Sequence, residues 1–168
     1  AFRNAIVIHS AIGGSTNALL HLPAIAGELG IELDPELFNE INRTIPHIGN
    51  INPSGRHLTE AFWFAGGIPR VQLLLEKYLD LDVLTVTGRT LGENLEEIQK
   101  EHFLERGEGY LHNYGLDTEE VIFPLEQAEE SGSIAVLKGS LAPEGAVVKY
   151  SACEKSMRSH VGKAVVFD

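Results

Sequence analysis

The spacing of glycine and proline is the feature that most limits how this chain can fold. Its 168 residues include 17 Gly and 7 Pro, and these residues divide the apolar runs into short pieces. Before residue 100, apolar residues recur mainly at three- and four-residue steps, which is typical of helices with one buried face. After residue 118, short runs rich in β-branched residues lie between glycines, which indicates strands. The sequence therefore predicts a helical first part and a β-rich last part.

A helix is predicted between Ser15 and Gly30, because apolar residues recur there at helical spacing. These residues are Leu19, Leu22, Ala26 and Leu29. Pro23 lies inside the segment and has no amide hydrogen to donate, so the helix either kinks there or begins near His21. Further helices are predicted around Ala5 to Ile12, after Asp34, after Thr59, from Pro69, and after Thr90, where Thr90 and Glu93 have the spacing of a capping box.

The predicted strands are short and leave edges without a partner. They lie at 83–87, 121–123, 134–138, 146–150 and 163–167, and the segment between residues 100 and 118 shows no period and is predicted to be a linker. Three or four strands at the end of the chain cannot close a core of their own. We therefore expect the β unit to continue in a longer polypeptide or to be completed by another chain.

The charge balance excludes several classes of protein. The chain has 13 Lys and Arg residues against 24 Asp and Glu residues, which gives a formal net charge of −11. A nucleic-acid binder needs a basic surface, and a peripheral membrane protein needs basic or lipidated segments. No run approaches the ~18 apolar residues of a membrane span, and the first residues lack the features of a secretory signal. We therefore expect a cytoplasmic protein that binds neither nucleic acid nor membranes.

The most informative local motif is the run Gly13-Gly14-Ser15-Thr16-Asn17 ahead of a predicted helix. Two glycines let a ligand approach the backbone, and the amides and dipole at a helix start favour a carboxylate or a phosphate. Candidate substrate-binding residues are Gly14, Ser15, Thr16 and Asn17. The same residues are also common as a plain polar cap of a helix. The run matches neither the phosphate loop nor the dinucleotide-binding fingerprint.

No catalytic or metal-binding constellation is recognisable. The seven histidines include no pair four residues apart, and the acidic residues from Glu93 to Glu101 follow one predicted helix, as on a solvated surface. Cys153 is the single cysteine, so it can form no internal disulfide and cannot alone hold an iron–sulfur cluster. The turn at Ser54 to His57 offers a hydroxyl and a cation, although such residues are also common in plain turns. We assign no catalytic residue and no metal ligand to this chain.

Five blocks of sequence, in the same order, resemble the dihydroxy-acid and sugar-acid dehydratase family, which includes 6-phosphogluconate dehydratase. The blocks are Ala11 to Leu22, Asn52 to Gly55, Ala65 to Pro69, Leu84 to Leu91 and Ser133 to Lys149. The resemblance implies an α/β fold class in which residues 1–118, with the linker, form the helical end of an α/β domain. Residues 119–168 would then form the first strands of a β-barrel-like domain.

The resemblance also implies the dehydration of a 2,3-dihydroxy carboxylate to a 2-keto acid. In the family, a cysteine-held iron–sulfur cluster acts as a Lewis acid on the leaving hydroxyl, a magnesium ion holds the substrate, and a serine of the second domain takes the C2 proton. The segments that carry these groups have no counterpart in the 168 residues. We therefore expect an internal fragment of such a hydro-lyase, inactive alone and without a bound cluster or magnesium.

The expected partners are a small hydroxy-acid substrate, the remainder of the dehydratase chain and further copies in a homo-oligomer. Residues 102–114 and 149–156 favour a sugar acid over a branched dihydroxy acid as the substrate. A different class of protein stays open as the alternative. In that interpretation the chain is a non-catalytic module that binds an anion, or a partner, through the helix start at Gly13 to Asn17.

Overall fold

The computed structural model describes residues 1–128 and 132–166. In these ranges the helices are α1 (Phe2–Ile12), α2 (Ala18–Glu28), α3 (Glu36–Thr44), α4 (Thr59–Phe64), α5 (Gly67–Leu74), α6 (Leu91–Lys100), α7 (Phe103–Asn113) and α8 (Thr118–Val121). The strands are β1 (Ala135–Gly139) and β2 (Ala142–Val148), which pair antiparallel. Short 3₁₀ turns follow α5, α8 and β2. The predicted order of a helical part followed by a β part is confirmed.

The core is centred on α1, which packs against α3 and α5. Ile6 and Val7 of α1 are fully buried, as are Phe38 of α3 and Val71 of α5. Apolar residues from the end of α8 complete the same cluster. Burial of this kind supplies the main favourable free energy of folding. In the described residues, no helix is long and apolar enough to cross a membrane.

The hairpin of β1 and β2 is attached to the helical part by side chains of α3. The Asn39 amide nitrogen donates to the Val136 carbonyl oxygen at 2.9 Å, and its amide oxygen accepts from the Val136 nitrogen at 2.7 Å. The Asn42 amide oxygen accepts from the Ile134 nitrogen at 3.1 Å and from the Ser10 hydroxyl at 2.8 Å. Two asparagines thus occupy the place of a neighbouring strand and satisfy the backbone groups of β1.

The predicted helices are confirmed, with small differences at their ends. α2 continues through Pro23, so the later start near His21 is wrong. The Asp34 carboxylate accepts from the Glu36 nitrogen at 2.8 Å, but Pro35 is the cap residue of α3 and the helix begins at Glu36, so the predicted start is one position early. The capping box of α6 is confirmed, with both reciprocal hydrogen bonds present.

The predicted linker between residues 100 and 118 is wrong, because α7 lies there and packs against α4. Leu111 is the fully buried residue of α7, and much of the remaining contact is aromatic. The Phe64 ring of α4 lies 5.6 Å from the Tyr110 ring and 5.7 Å from the Tyr114 ring, between centroids. A helix that packs through large aromatic rings needs few aliphatic residues, so its sequence shows no clear apolar period.

The predicted strand at 83–87 is also wrong. The segment forms a tight turn in which Leu84 makes a single bridge to Thr90. The Thr85 amide and hydroxyl both donate to the Arg89 carbonyl oxygen at 2.9 Å. Threonine is a strand former on a pleated surface, but here its hydroxyl closes a turn instead.

The later strand predictions are confirmed in part. The segments 134–138 and 146–150 correspond to β1 and β2, although β2 begins at Ala142 and ends at Val148. The segment 121–123 is the end of α8 followed by one bridge between Ile122 and Gly49, not a strand. Residues 163–166 have no regular secondary structure, and Phe167 of that predicted strand lies outside the described residues.

Candidate functional site

The loop from Gly13 to Asn17 connects α1 to α2 at the surface of the protein. Gly13 ends α1 in the left-handed region, with φ 69°, and its amide donates to the His9 carbonyl oxygen. A residue with a side chain is strained in this conformation, which is why glycine stands here. The first glycine of the motif therefore has a structural role as the cap of α1.

The second glycine leaves room for the imidazole of His9. A Cβ atom on Gly14 would lie 2.1 Å from the His9 Cδ2 atom, which no side chain can tolerate. The His9 Nε2 atom lies 2.8 Å from the Ser15 carbonyl oxygen, and the ring meets the Phe38 ring edge-on. The imidazole therefore lies against Gly14 and holds the loop through Ser15.

His9 is neutral in this arrangement. Burial lowers its pKa from the ordinary value of 6.5, the hydrogen bond to Ser15 raises it, and the charge of Lys149 lowers it further. A neutral ring that bonds a carbonyl through Nε2 carries its proton on that nitrogen, an assignment that follows from the hydrogen bond. His9 thus acts as a donor that shapes the loop.

The four predicted binding residues lie together on this loop. Ser15 and Asn17 are exposed, whereas Gly14 and Thr16 are half-buried. The Ser15 hydroxyl accepts from the backbone amide of Asn17 at 3.3 Å, so it already caps part of the start of α2. The Asn17 side chain makes no such capping bond. The structure therefore brings the predicted residues to one place, and both the capping and the anion-binding interpretations agree with it.

Lys149 brings a positive charge to the loop from the other end of the chain. It follows β2, and its Nζ atom donates to the Gly13 carbonyl oxygen at 2.7 Å. Burial lowers the pKa of this ammonium group. A carboxylate bound beside it would replace the lost hydration of the charge. Lys149 is not predictable from the sequence, because a contact across 136 positions leaves no local pattern.

A second polar contact joins the same two parts of the chain. The Ser54 and Ser151 hydroxyl oxygens lie 2.7 Å apart, and the Ser151 amide donates to the Ser133 carbonyl oxygen at 3.2 Å. A Cβ atom on Gly13 would lie 3.3 Å from the Ser54 hydroxyl, so this contact is directly beside the loop. The turn at Ser54 to His57 thus contributes a hydroxyl, while Arg56 is exposed.

The arrangement suits recognition of an anion more than bond-breaking chemistry. It combines a helix start, hydroxyl groups from three segments and one ammonium group, all of which are donors that a carboxylate accepts from. The imidazole of His9 is engaged with Ser15 and packed against Gly14. His9 is therefore engaged in holding the loop and is not assigned as a general base for a substrate proton.

The donors of the described residues do not gather into a set that fits an iron–sulfur cluster or a magnesium ion. In residues 1–128 and 132–166, no three His, Cys, Asp or Glu side chains gather into a group that could hold a metal. Cys153, the single thiol of the chain, is half-buried, and its Sγ atom lies 3.6 Å from the Glu154 carbonyl oxygen. Clusters are usually held by several thiolates and magnesium by carboxylates, and the described part of the chain brings neither set together.

Two sequence models of one family match the chain. The model described as "Dihydroxy-acid/6-phosphogluconate dehydratase N-terminal" matches residues 1–94, and the corresponding C-terminal model matches residues 120–168. Similar proteins include "Dihydroxy-acid dehydratase 1" of Methanosarcina acetivorans, 45% identical over 169 residues. Proteins named dihydroxy-acid dehydratase from Ignicoccus hospitalis and Caldicellulosiruptor bescii are 46% and 40% identical, each over 171 residues. Each alignment covers 100% of this chain and 28% of the relative.

Proposed function

The chain belongs to the dihydroxy-acid/6-phosphogluconate dehydratase family, and we propose that the enzyme of which it forms part is a hydro-lyase. The proposed reaction converts a 2,3-dihydroxy carboxylate into a 2-keto acid. The observation that carries the proposal is the identity of 45% over the whole chain to a protein named dihydroxy-acid dehydratase. Because the chain spans 28% of that relative, the activity is proposed for the longer polypeptide and not for these residues alone.

A small dihydroxy acid is the proposed substrate, in preference to a sugar acid. The similar proteins described above are all named dihydroxy-acid dehydratase. The expectation of a sugar acid depended partly on residues 102–114, and most of that segment is α7, whose residues pack against α4. A structural role for α7 explains the unusual sequence without reference to a substrate.

The proposed contribution of this chain is to bind the carboxylate of the substrate. In the reaction, the C2–H and C3–O bonds break, water leaves, and the resulting enol becomes the keto acid. A carboxylate next to C2 must be held in place while this happens. We assign that task to Gly14, Ser15, Thr16 and Asn17, with Lys149 as the nearby cation, since charge-assisted hydrogen bonds are the strongest available.

The other groups of the reaction are proposed to lie elsewhere in the enzyme. An iron–sulfur cluster and a magnesium ion, which the family resemblance implies, require ligands that the described residues do not provide. We therefore assign these ligands and the catalytic base to the part of the polypeptide outside residues 1–168. The remaining proposals are a domain boundary near residue 118, a homo-oligomeric assembly and a cytoplasmic location.

The direct test is turnover by the full-length enzyme, purified with its cofactors intact, on 2,3-dihydroxy-isovalerate and on a panel of aldonates. We expect keto-acid formation from the dihydroxy acid and no turnover by the 168-residue chain. A clear preference for an aldonate would contradict the proposed substrate. Turnover by the 168-residue chain without added protein would contradict the proposed division of roles.

The loop has a separate test in the same enzyme. Lys149→Met is expected to raise KM by about tenfold or more, because it removes a charge-assisted contact to the carboxylate, with a smaller change in kcat. Lys138→Met is the matched control, because Lys138 is exposed on β1. An unchanged KM in Lys149→Met would refute the assignment. Binding of hydroxy acids by a full-length protein that shows no turnover would favour the non-catalytic module.

A further inference from the structure

Helix α2 is apolar on nearly all sides, yet most of it is exposed. Only Ala26 of its eleven residues is buried. Leu20 is 72% exposed and Ile25 is 55% exposed, and Leu29 directly after the helix is 68% exposed. Leu19 and Leu22 pack against the core. His21 and Glu28 are the polar residues of α2 and both are exposed, yet the outer side of the helix around Leu20 lacks a partner within the described residues.

Gly27 adds an independent observation on the same side of α2. A Cβ atom on Gly27 would meet no atom within 4 Å in the described structure, and Gly27 does not adopt a positive φ. Glycine is a poor helix former, so Gly27 weakens α2 without any packing gain within the described residues. Leu20, Ala24 and Gly27 follow helical spacing and share one side of α2. Small residues in such a row let another helix approach closely.

We propose that the outer side of α2 packs against an apolar helix from the remainder of the same N-terminal domain. This inference rests on the proposed function, in that it takes the chain to be part of a longer dehydratase. α2 lies within the residues that the N-terminal family model matches, and the chain covers 28% of each relative described above, so most of such a polypeptide lies outside it. A second copy of this chain is the alternative occupant, and the oligomeric state of the chain is its test.

The experiment compares the same substitutions in the 168-residue chain and in the full-length enzyme. In the chain, Gly27→Ala raises Tm by about 2–4 °C, because alanine favours the helix and its methyl group meets open space. In the full-length enzyme, Gly27→Ala lowers Tm, and Gly27→Leu lowers it by about 3 °C or more, because the added atoms clash with the packed helix. Gly109→Ala in α7 is the matched control, since its Cβ also meets nothing within 4 Å, and it raises Tm in both proteins.

Two outcomes would overturn the proposal. One is a full-length enzyme whose Tm is unaffected or raised by Gly27→Leu. The other is a 168-residue chain that forms a dimer in light-scattering measurements and becomes monomeric on Leu20→Asp, because a second copy would then be the occupant. The dehydratase assay keeps the two proposals separate. A full-length protein without turnover can still show a lower Tm in Gly27→Ala while the 168-residue chain shows a higher one. That result would support the interface and contradict the proposed function.

Discussion

The contact between Gly14 and His9 provides a sharp test of how the loop is held. In Gly14→Ala, the new Cβ atom would lie 2.1 Å from the His9 Cδ2 atom and 2.6 Å from Nε2. The φ angle of Gly14 lies outside the left-handed region, so backbone strain does not confuse the result. The imidazole must move, and its hydrogen bond to the Ser15 carbonyl oxygen at 2.8 Å is then lost.

The expected destabilisation is about 2–3 kcal/mol. Overpacking of a filled site costs about 1–3 kcal/mol, and the lost hydrogen bond costs about 1 kcal/mol. Replacing glycine by alanine also restricts the unfolded chain, which returns about 0.4–1 kcal/mol. The clash therefore dominates, and the free energy of unfolding of the 168-residue chain should fall.

Urea unfolding followed by circular dichroism measures this change, and a double-mutant cycle with His9→Ala tests its cause. If the imidazole is the obstacle, Gly14→Ala costs little once His9 is alanine, and the two changes couple by about 2–3 kcal/mol. Gly27→Ala is the control for the intrinsic effect of the glycine-to-alanine change, because its Cβ meets open space. Additive effects, or a loss below about 0.5 kcal/mol in Gly14→Ala, would refute the reasoning.

Three further predictions concern the elements around the loop. Asn39→Leu should lower the free energy of unfolding by about 2–3 kcal/mol, since both Val136 backbone groups lose their partner. It should also speed hydrogen exchange of the Val136 amide, and unchanged exchange would contradict the role of Asn39. Thr90→Ala should cost about 1 kcal/mol in urea unfolding, because the capping bond to the Glu93 amide is lost, whereas Thr90→Ser should be close to neutral. Burial lowers the pKa of His9 in the folded state. The contribution of neutral His9 to the free energy of unfolding is therefore present above the unfolded pKa near 6.5 and is lost as pH falls below that value. Wild-type chain should therefore lose more stability than His9→Gln between about pH 7.5 and pH 5.5, and equal losses would contradict this.

Local signals predicted most of the helical part of the fold. Asp34 and the pair Thr90–Glu93 have side chains that bond amides two or three positions away, so their pattern is visible in the sequence. α7 was missed because its packing depends on Phe64, a residue of another helix, and on the neighbouring tyrosine rings. Aromatic contacts between distant segments leave no period in either segment.

The candidate site was predictable in position but not in composition. The run from Gly13 to Asn17 predicted the loop, since two glycines and three polar residues ahead of an apolar helix form a local motif. Sequence alone could not show that His9 lies against Gly14, because an isolated histidine in a helix has many structural roles. It also could not show Lys149, which reaches the loop only through the folded chain.

Under the proposed function, the position of Lys149 links carboxylate binding to the attachment of the hairpin. Lys149 follows β2, and the hairpin is held to α3 by the paired bonds between Asn39 and Val136. If the hairpin detaches, the Nζ atom leaves the Gly13 carbonyl oxygen and the loop loses its nearby cation. A carboxylate that binds beside Lys149 must therefore favour the attached state, and its apparent Kd rises in inverse proportion to the fraction of molecules whose hairpin is attached. Asn39→Leu should consequently raise the Kd for a hydroxy acid although Asn39 itself lies on α3, outside the loop.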